Sequence, residues 1–341
     1  MISFVVLNWN SGRYLWRTLN SIEGQSRNDF ELIIVDNAST NESLQIIQHF
    51  ERRGAKLIRL SRNLGFAGGM NAGIGEASGE LVVALNSDAC VASNFVEVVT
   101  ERAAAERARD AQVGMFAVPL FDWHYGAEID TLTDQMQNAG VTFVRRLTLA
   151  TWHPGIDPAG TLLGPSGAAP IFTRKALDTA RMHSGFVYDP AYFAYAEDID
   201  LFLRLHALGF ACVPCFDTRV WHIGSASFNG HLSLRSKPPA VQRQVHLNRW
   251  RTWSKIGPRS IRMGMLPWMM LDDLMRIALS RQPIATAKAF AANYRRFRSP
   301  LRQRYPARKP PIAGNLFSRS GWYAQRHGRL PNFVECAGSG S

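Results

Sequence analysis

The sequence predicts an α/β fold built on a mainly parallel sheet, and three observations carry that prediction. Apolar runs alternate with segments of helical periodicity through roughly the first 120 residues. The runs are nearly continuously apolar, as strands covered on both faces of a sheet must be. Polar doublets follow the runs, and in an open parallel sheet the carboxyl ends of the strands share one ligand-binding edge.

The elements follow in order. Strands are read at ISFVVLN (2–8), ELIIVDN (31–37), AKLIRL (55–60), ELVVALNSD (80–88) and VGMFAVPLF (113–121). Helical periodicity fills 11–24, 41–53, 67–77 and 93–108. The pattern weakens over 122–165, with turns around His153–Gly155 and Asp157–Gly160, and predicts an irregular or antiparallel insertion. GPSGAAPIFTRKAL (164–177) reads as a glycine-loosened loop, a strand and a helix start. In FAYAEDIDLFLRLHALGF (193–210), Leu201, Leu205 and Leu208, flanked by Ile199 and Phe202, recur at helical spacing, and Gly209 is the stop signal. A strand run in ACVPCFDTRVWHIGSAS (211–227) ends at Trp221-His222. The expected organisation is one α/β unit over 1–240, in halves 1–120 and 121–240. A basic, amphipathic helical region over 241–305 and a loosely ordered tail over 306–341, marked by Pro306, Pro310 and Pro311, follow it.

Composition bounds the chemistry. With 341 residues and 46% hydrophobic content the chain can bury a full core. Cys90, Cys212, Cys215 and Cys336 form no disulfide framework, and the lone C-x-x-C lacks the second pair or the spaced histidines of a zinc site. No basic segment and apolar stretch precede the first strand, and no run of about 18–20 apolar residues occurs, so a cytoplasmic location is expected. The net charge of +12 is uneven: residues 1–240 carry 20 Lys+Arg and 24 Asp+Glu, residues 241–341 carry 19 and 3. The excess must meet an anionic partner or remain solvated.

The turn after the first strand, NWNSGRYL, has one glycine and argues against G-x-G-x-x-G dinucleotide binding; no G-x-x-x-x-G-K-[ST] occurs. The glycine-rich stretch is SRNLGFAGGMNAGIGEA (61–77), where Gly65, Gly68, Gly69 and Gly73 would admit close backbone approach to a ligand and Arg62 adds a fixed charge. Asn8 and Asn10, Asp36 and Asn37, Arg62 and Asn63, and Asn86 and Asp88 all fall near strand ends and should converge on one cleft. Asp88 there suits Mg²⁺ or Mn²⁺, which prefer oxygen ligands and bridge phosphates, with His222 a candidate second ligand. Glu197, Asp198 and Asp200 crowd the start of a helix behind Tyr192, Phe193 and Tyr195. They read either as N-terminal caps or as a general base held at a cleft.

Seven motifs, VVLNWN, IIVDNAST, RNLGFAGGMNAG, ALNSDA, SGAAPIFTRKAL, FAYAEDIDLFLRLHALGF and VWHIGSAS, resemble in kind and order those of family-2 inverting glycosyltransferases, in the branch that includes bacterial rhamnosyltransferases of surface polysaccharides. The resemblance covers roughly residues 1–235 and implies a GT-A fold, a nucleotide-diphospho-sugar donor and a divalent cation. It implies that Asn8 and Asp36 contact the nucleoside, with Asp36 accepting from the base, and that Arg62, Asn63 and Asn71 line the donor site. Asn10, Asn37, Gly65, Phe66 and Asn86 complete that site. Asp88 matches the last acid of the D-x-D motif, whose first position is Asn86 here, and His222 matches the later metal ligand. The loop with Ser166 and Gly167 would border the acceptor; Asp198 matches the general base and Glu197 its neighbour.

The expected function is transfer of a sugar, dTDP-rhamnose being the favoured donor, to a lipid-linked or growing surface glycan. A UDP-hexose or UDP-N-acetylhexosamine donor is the alternative within the fold. A non-catalytic sugar-nucleotide or nucleic-acid binding protein is the alternative outside it. In the basic third, Arg243, Arg249, Arg251, Lys255, Arg259 and Arg262 precede PWMMLDDLMRIAL, and Arg295, Arg296 and Arg298 follow. No nucleic-acid module is visible, and Trp and Met follow helical spacing, which favours an anionic membrane surface over nucleic acid. Packing onto the α/β unit, or assembly with a second copy, is the other reading of the same segment.

Overall fold

A computed structural model describes residues 1–109, 112–126, 128–143, 149–157, 159–224, 238–255, 259–278, 280 and 283–296. Strands β1 (Ile2–Asn8), β2 (Phe30–Asp36), β3 (Lys56–Arg59) and β4 (Leu81–Asn86) alternate with helices α1 (Gly12–Glu23), α2 (Ser43–Glu51) and α3 (Gly65–Glu76). Next come β5 (Ala89–Val91), α4 (Phe95–Ala108), β6 (Val113–Ala117), β7 (Leu120–Tyr125), β8 (Asp130–Asn138), β9 (Val141–Phe143) and β10 (Leu149–Thr151). The chain continues through β11 (Ile171–Thr173), α5 (Arg174–Ser184), α6 (Glu197–Ala207), β12 (Ala211–Pro214) and β13 (Val220–His222). Helices α7 (Pro239–Lys255), α8 (Arg259–Ala278) and α9 (Pro283–Arg296) complete the described part.

Seven strands form the central sheet in the order β12-β6-β11-β4-β1-β2-β3. β1 runs parallel to both β2 and β4, β2 to β3 and β12 to β6; only β11 is antiparallel to its neighbours, β4 and β6. The strands are apolar on both faces because both faces are covered. Phe4 and Val6 pack with Leu15, Ile47, Phe50 and Phe95 of α1, α2 and α4 on one side. Val5, Ile33 and Val35 pack with Met70, Ile74, Leu177 and Leu201 of α3, α5 and α6 on the other.

Two strand readings change. The predicted 80–88 run ends at Asn86, and β5 leaves for a second sheet ordered β5-β13-β7-β8. The predicted 113–121 run is cut into β6 and β7 around Val118 and Pro119; proline has no N–H to continue a ladder. The insertion is antiparallel, with β7 paired to β8 and β9 to β10. The stop signal of α6 holds, since Gly209 takes φ +95° directly after the helix.

Trp250 of α7 and Met265 and Met269 of α8 join the core of the second sheet face, so these helices are continuous with the α/β unit. Asp273 of α8 lies 2.9 Å from Trp250 Nε1 and 3.0 Å from His246 Nε2, which fixes α8 on α7. α8 runs through Pro267 and turns Met263, Met270, Leu271, Leu274 and Met275 outward, all exposed. Among the described residues, no helix is long and apolar enough to cross a membrane. Arg298 and the 306–341 tail lie outside the described residues, as do residues 225–227 of the last motif.

Candidate active site

The loops after β1, β2, β3 and β4 meet at the carboxyl edge of the sheet. Asp36 ends β2 with only 5% of its surface exposed. Its Oδ1 accepts from Ser39 N at 3.2 Å and faces Asn8 Nδ2 at 3.4 Å, while Oδ2 has no partner among the described residues. Asn8 is fully buried and its Nδ2 lies 2.9 Å from both Ser39 Oγ and Ser43 Oγ. It therefore holds the β2–α2 turn and Asp36 from behind. Asn10, exposed and at φ +55°, accepts from Thr40 N at 2.8 Å and bridges the first two loops.

The third loop is held in the same way. Asn37 donates to Asn63 Oδ1 at 3.0 Å and to Gly65 O at 3.1 Å, and accepts from Leu64 N at 2.8 Å. Asn63 Oδ1 accepts from Gly65 N at 2.7 Å, closing the first turn of α3. Asn71 spends both side-chain ends on Tyr188, donating to its carbonyl at 2.7 Å and accepting from its N–H at 2.9 Å. The Phe66 ring meets Tyr188 edge-on with centroids 5.8 Å apart. Arg62, by contrast, is exposed and has no partner among the described residues.

The glycines of this stretch serve a different purpose from the one read in the sequence. A Cβ at Gly69 would sit 2.4 Å from Leu7, and one at Gly73 would sit 2.3 Å from Val5, so these residues let α3 lie directly on the sheet. Gly68 faces Leu64 of its own helix. Gly65, at φ +72°, would place a Cβ 2.4 Å from Phe193 O; what approaches it is the loop before α6, not a ligand. Both strain and clash fall on Gly65→Ala. The variant should lose about 1–3 kcal/mol in urea unfolding, and a loss within the noise of a surface substitution would refute this contact.

Asn86 N donates to Ala168 O at 2.9 Å, which brings the Ser166–Ala169 loop beside the end of β4. Two residues further on, Asp88 Oδ1 stands 3.4 Å from His222 Nε2, both side chains partly exposed (15% and 14%). The pairing of β13 with β5 sets this geometry, because it puts His222 opposite Ala89. No cluster of three or more His, Cys, Asp or Glu residues able to hold a metal occurs among the described residues. One carboxylate and one imidazole, accessible and this close, fit a divalent cation whose remaining ligands are phosphate oxygens and water. The Asn86 side chain is unpartnered among the described residues and lies at the same strand end.

The acids at the start of α6 separate into three roles. Asp200 is fully buried, with Arg204 Nε 2.8 Å from its Oδ2 and Lys255 Nζ 2.8 Å from its Oδ1; it anchors the helix. Asp198 accepts from Ile199 N at 2.8 Å through Oδ1, and a Cβ on Gly167 would fall 2.5 Å from its Oδ2. The Ser166–Ala169 loop thus lies against this carboxylate, and a side chain at position 167 would displace it. Burial raises Asp198 above the ordinary carboxylate range, opposed by its N–H bonds at the helix start. Glu197, 7% exposed and with Oε2 buried and unpartnered, is pushed up much further, first by burial and then by the charge of Asp198. Burial thus disfavours the charged form of both acids, and that of Glu197 the more strongly.

The turn ahead of these acids is strained. Phe193, at φ +60° and ψ −66°, is the centre of a three-residue turn closed by Ala194 N to Tyr192 O at 2.6 Å. Tyr195 and Ala196 follow at φ +73° and +64°. Non-glycine residues in such conformations cost about 1–3 kcal/mol each and persist only when their surroundings hold them. The partners lie on α7, which the sequence reading did not connect with the site. Asn248 Nδ2 is 2.9, 2.8 and 2.7 Å from the carbonyls of Tyr192, Ala194 and Tyr195. Lys255 Nζ reaches Asp189 Oδ2 at 2.6 Å and stands 4.7 Å from the centre of the Tyr192 ring. Nothing at the residue level marks Asn248 in the sequence, because the turn it meets is 53 to 56 residues away.

Residues 3–161 match the family model described as Glycosyl transferase family 2. An uncharacterized glycosyltransferase of Nostoc sp. (alr2836) is 37% identical over 89 residues, covering 26% of this chain and 28% of that protein. The succinoglycan biosynthesis protein ExoO of Rhizobium meliloti is 32% identical over 119 residues, covering 35% and 34% respectively. The matches thus span about a third of the length of these relatives. Among solved structures, GalNAc-T7 with UDP, GalNAc and Mn²⁺ has a TM-score of 0.58 at 15% identity, over 86% of this chain and 55% of that one. The mannosyltransferase PcManGT of Pyrobaculum calidifontis, with GDP-Man and Mn²⁺, has a TM-score of 0.51 at 15% identity, over 88% and 76%. The fold is GT-A-like, with a mixed central sheet flanked by helices. Asp198 and His222 lie beyond the matched segment.

Proposed function

We propose that this protein is an inverting glycosyltransferase that moves a sugar from a nucleotide-diphospho-sugar to a hydroxyl of a lipid-linked or growing surface glycan. The observation that carries the reading is the closeness of Asp198 to Gly167: a carboxylate beside a second, buried acid, against a loop bonded to the end of β4. The resemblance of the motifs to rhamnosyltransferases favours dTDP-rhamnose as donor. The free Oδ2 of Asp36 receives the base N–H, and Arg62, Asn86 and Asp88 face the diphosphate, with Asn8, Asn10, Asn37, Asn63, Gly65, Phe66 and Asn71 shaping their loops. Asp88 and His222 would hold Mg²⁺ or Mn²⁺, which when bound supplies positive charge against the departing diphosphate.

The chain's own residues then do the following. The acceptor hydroxyl rests against the Ser166–Gly167 loop, and Asp198 Oδ2 takes its proton as the new bond forms on the face opposite the leaving diphosphate. Glu197, whose charged form burial disfavours, limits the negative charge beside the attacking oxygen. Arg62 remains at the leaving-group side, where charge develops. An anionic membrane at the inner face of the cell envelope is the proposed setting, supported by the exposed Met and Leu face of α8 and the basic balance of residues 241–341.

The test is nucleoside-diphosphate release from dTDP-, UDP- and GDP-sugars, with and without Mg²⁺ or Mn²⁺. One donor should be turned over in a metal-dependent way. Asp88→Ala should lower that release by roughly 10²-fold and abolish the metal-dependent step in nucleotide affinity. Absence of binding or turnover of every donor, with lipid-linked acceptor extracts present, would sink the reading.

A further inference from the structure

We propose that Asn248 of α7 is a positioning residue for the general base: it holds the 192–196 turn in its strained form and thereby aims Asp198. The proposal rests on the assignment of Asp198 as base, and it makes the basic C-terminal helix part of the active site's construction. Asn248 lies outside the segment that matches the family model.

Three observations point the same way. Successive positive φ angles at Tyr195 and Ala196, with Phe193 just before, turn the carbonyls of Tyr192, Ala194 and Tyr195 toward one point. No strand or helix meets oxygens arranged like that, and buried carbonyls need donors from elsewhere in the chain; Tyr192 O has Ala194 N and Gln244 Nε2 besides. The Asn248 amide nitrogen stands at that point, 2.7–2.9 Å from all three. Its orientation is imposed, since Asn248 Oδ1 accepts from Gln244 Nε2 at 3.1 Å and from Arg251 Nη1 at 2.8 Å. Gln244 also donates to Tyr192 O at 2.8 Å, and Arg251 donates to Ala191 O.

Asn248 is fully buried, and its side-chain hydrogen bonds run to the turn, to Gln244 and to Arg251, so it acts through the turn. The path to the base is short. Ala196 O accepts the first helical bond of α6 from Asp200 N at 3.1 Å, and Asp198 sits between them. Gly65 fixes the other side of the same turn, with Ala67 N donating to Phe193 O at 3.1 Å. The turn is thus gripped between the donor loop and α7, and relaxing it would swing the Asp198 carboxylate away from Gly167.

Asn248→Asp is the informative variant, because it keeps the shape, removes both donors and sets a negative charge against three carbonyl oxygens. In the full chain, its kcat should fall roughly 10²-fold while donor KM and nucleotide Kd stay within about threefold. The acid limb of its pH–rate profile should move toward the ordinary carboxylate range as Asp198 gains water. Amides of 191–199 should exchange hydrogen at least about tenfold faster than in wild type. A kcat and pH profile within about twofold of wild type would overturn the proposal. If wild type turns over no donor, the functional reading fails by itself, and hydrogen exchange decides the grip: unchanged protection of 191–199 in Asn248→Asp overturns it. Should Asn248→Asp not fold, Gln244→Ala, which frees one holder of the amide, is read by the same two measures, with smaller losses expected and unchanged values again overturning it.

Discussion

Asp198→Asn should remove about 10²–10⁴-fold of turnover and leave donor affinity intact. The reason is local. Asn has nearly the volume of Asp, so the contact with Gly167 and the bond from Ile199 N survive, while the lone pair that takes the proton becomes part of an amide. The pH dependence gives a second check with a definite sign. Burial raises Asp198 above its ordinary value of 3.8, so the base is ionised only above that raised value. Wild-type kcat should therefore fall as pH drops through a limb lying above the ordinary carboxylate range, and Asp198→Asn should lose that limb along with the rate. A variant within tenfold of wild type, or one that weakens nucleotide binding as much as turnover, would remove Asp198 from the role of base.

Lys255→Met should carry the largest loss of stability, about 3–5 kcal/mol. Its ammonium lies between two carboxylates, 2.6 Å from Asp189 and 2.8 Å from Asp200, beneath the Tyr192 ring at 4.7 Å. The side chains are 11%, 12% and 0% exposed, so water cannot take over when the cation is removed. Asp200 keeps Arg204 at 2.8 Å, which places the loss at the lower end of the range. Urea unfolding at neutral pH measures it. A loss below about 1 kcal/mol, the worth of a surface ion pair, would show that these charges are solvated after all. The same geometry explains where part of the basic surplus goes: Arg249 and Arg276 reach Asp272, Arg251 reaches Ala191 O, and Lys255 reaches Asp189 and Asp200.

The loops at the carboxyl edge of the central sheet mark how far residue types could be read. Asn8 ends β1, Asn37 and Asn63 follow β2 and β3, and Asn71 lies within α3; each spends amide atoms on other parts of the chain. Asp36 Oδ2, Arg62 and the pair Asp88–His222 keep atoms to offer a ligand. An asparagine after a strand is visible in a sequence; whether it faces a ligand or a backbone depends on which loop packs behind it. The glycines of α3 show the same limit, since what demands their smallness is Leu7 and Val5 in a strand some sixty residues earlier.

Periodicity, turn residues and helix ends are local properties of the chain, so the alternation of strands and helices over residues 1–108, an irregular or antiparallel insertion after it, the start and stop of α6 and the set of motifs are legible in the sequence. Which acids and asparagines are buried or keep free atoms, and that α7 meets the 192–196 turn, follow only from how the chain packs. Those are questions of burial and of distance between residues remote in sequence. Asp198 and Asp200 are two positions apart and chemically identical, but Gly167 meets one and Lys255 buries the other.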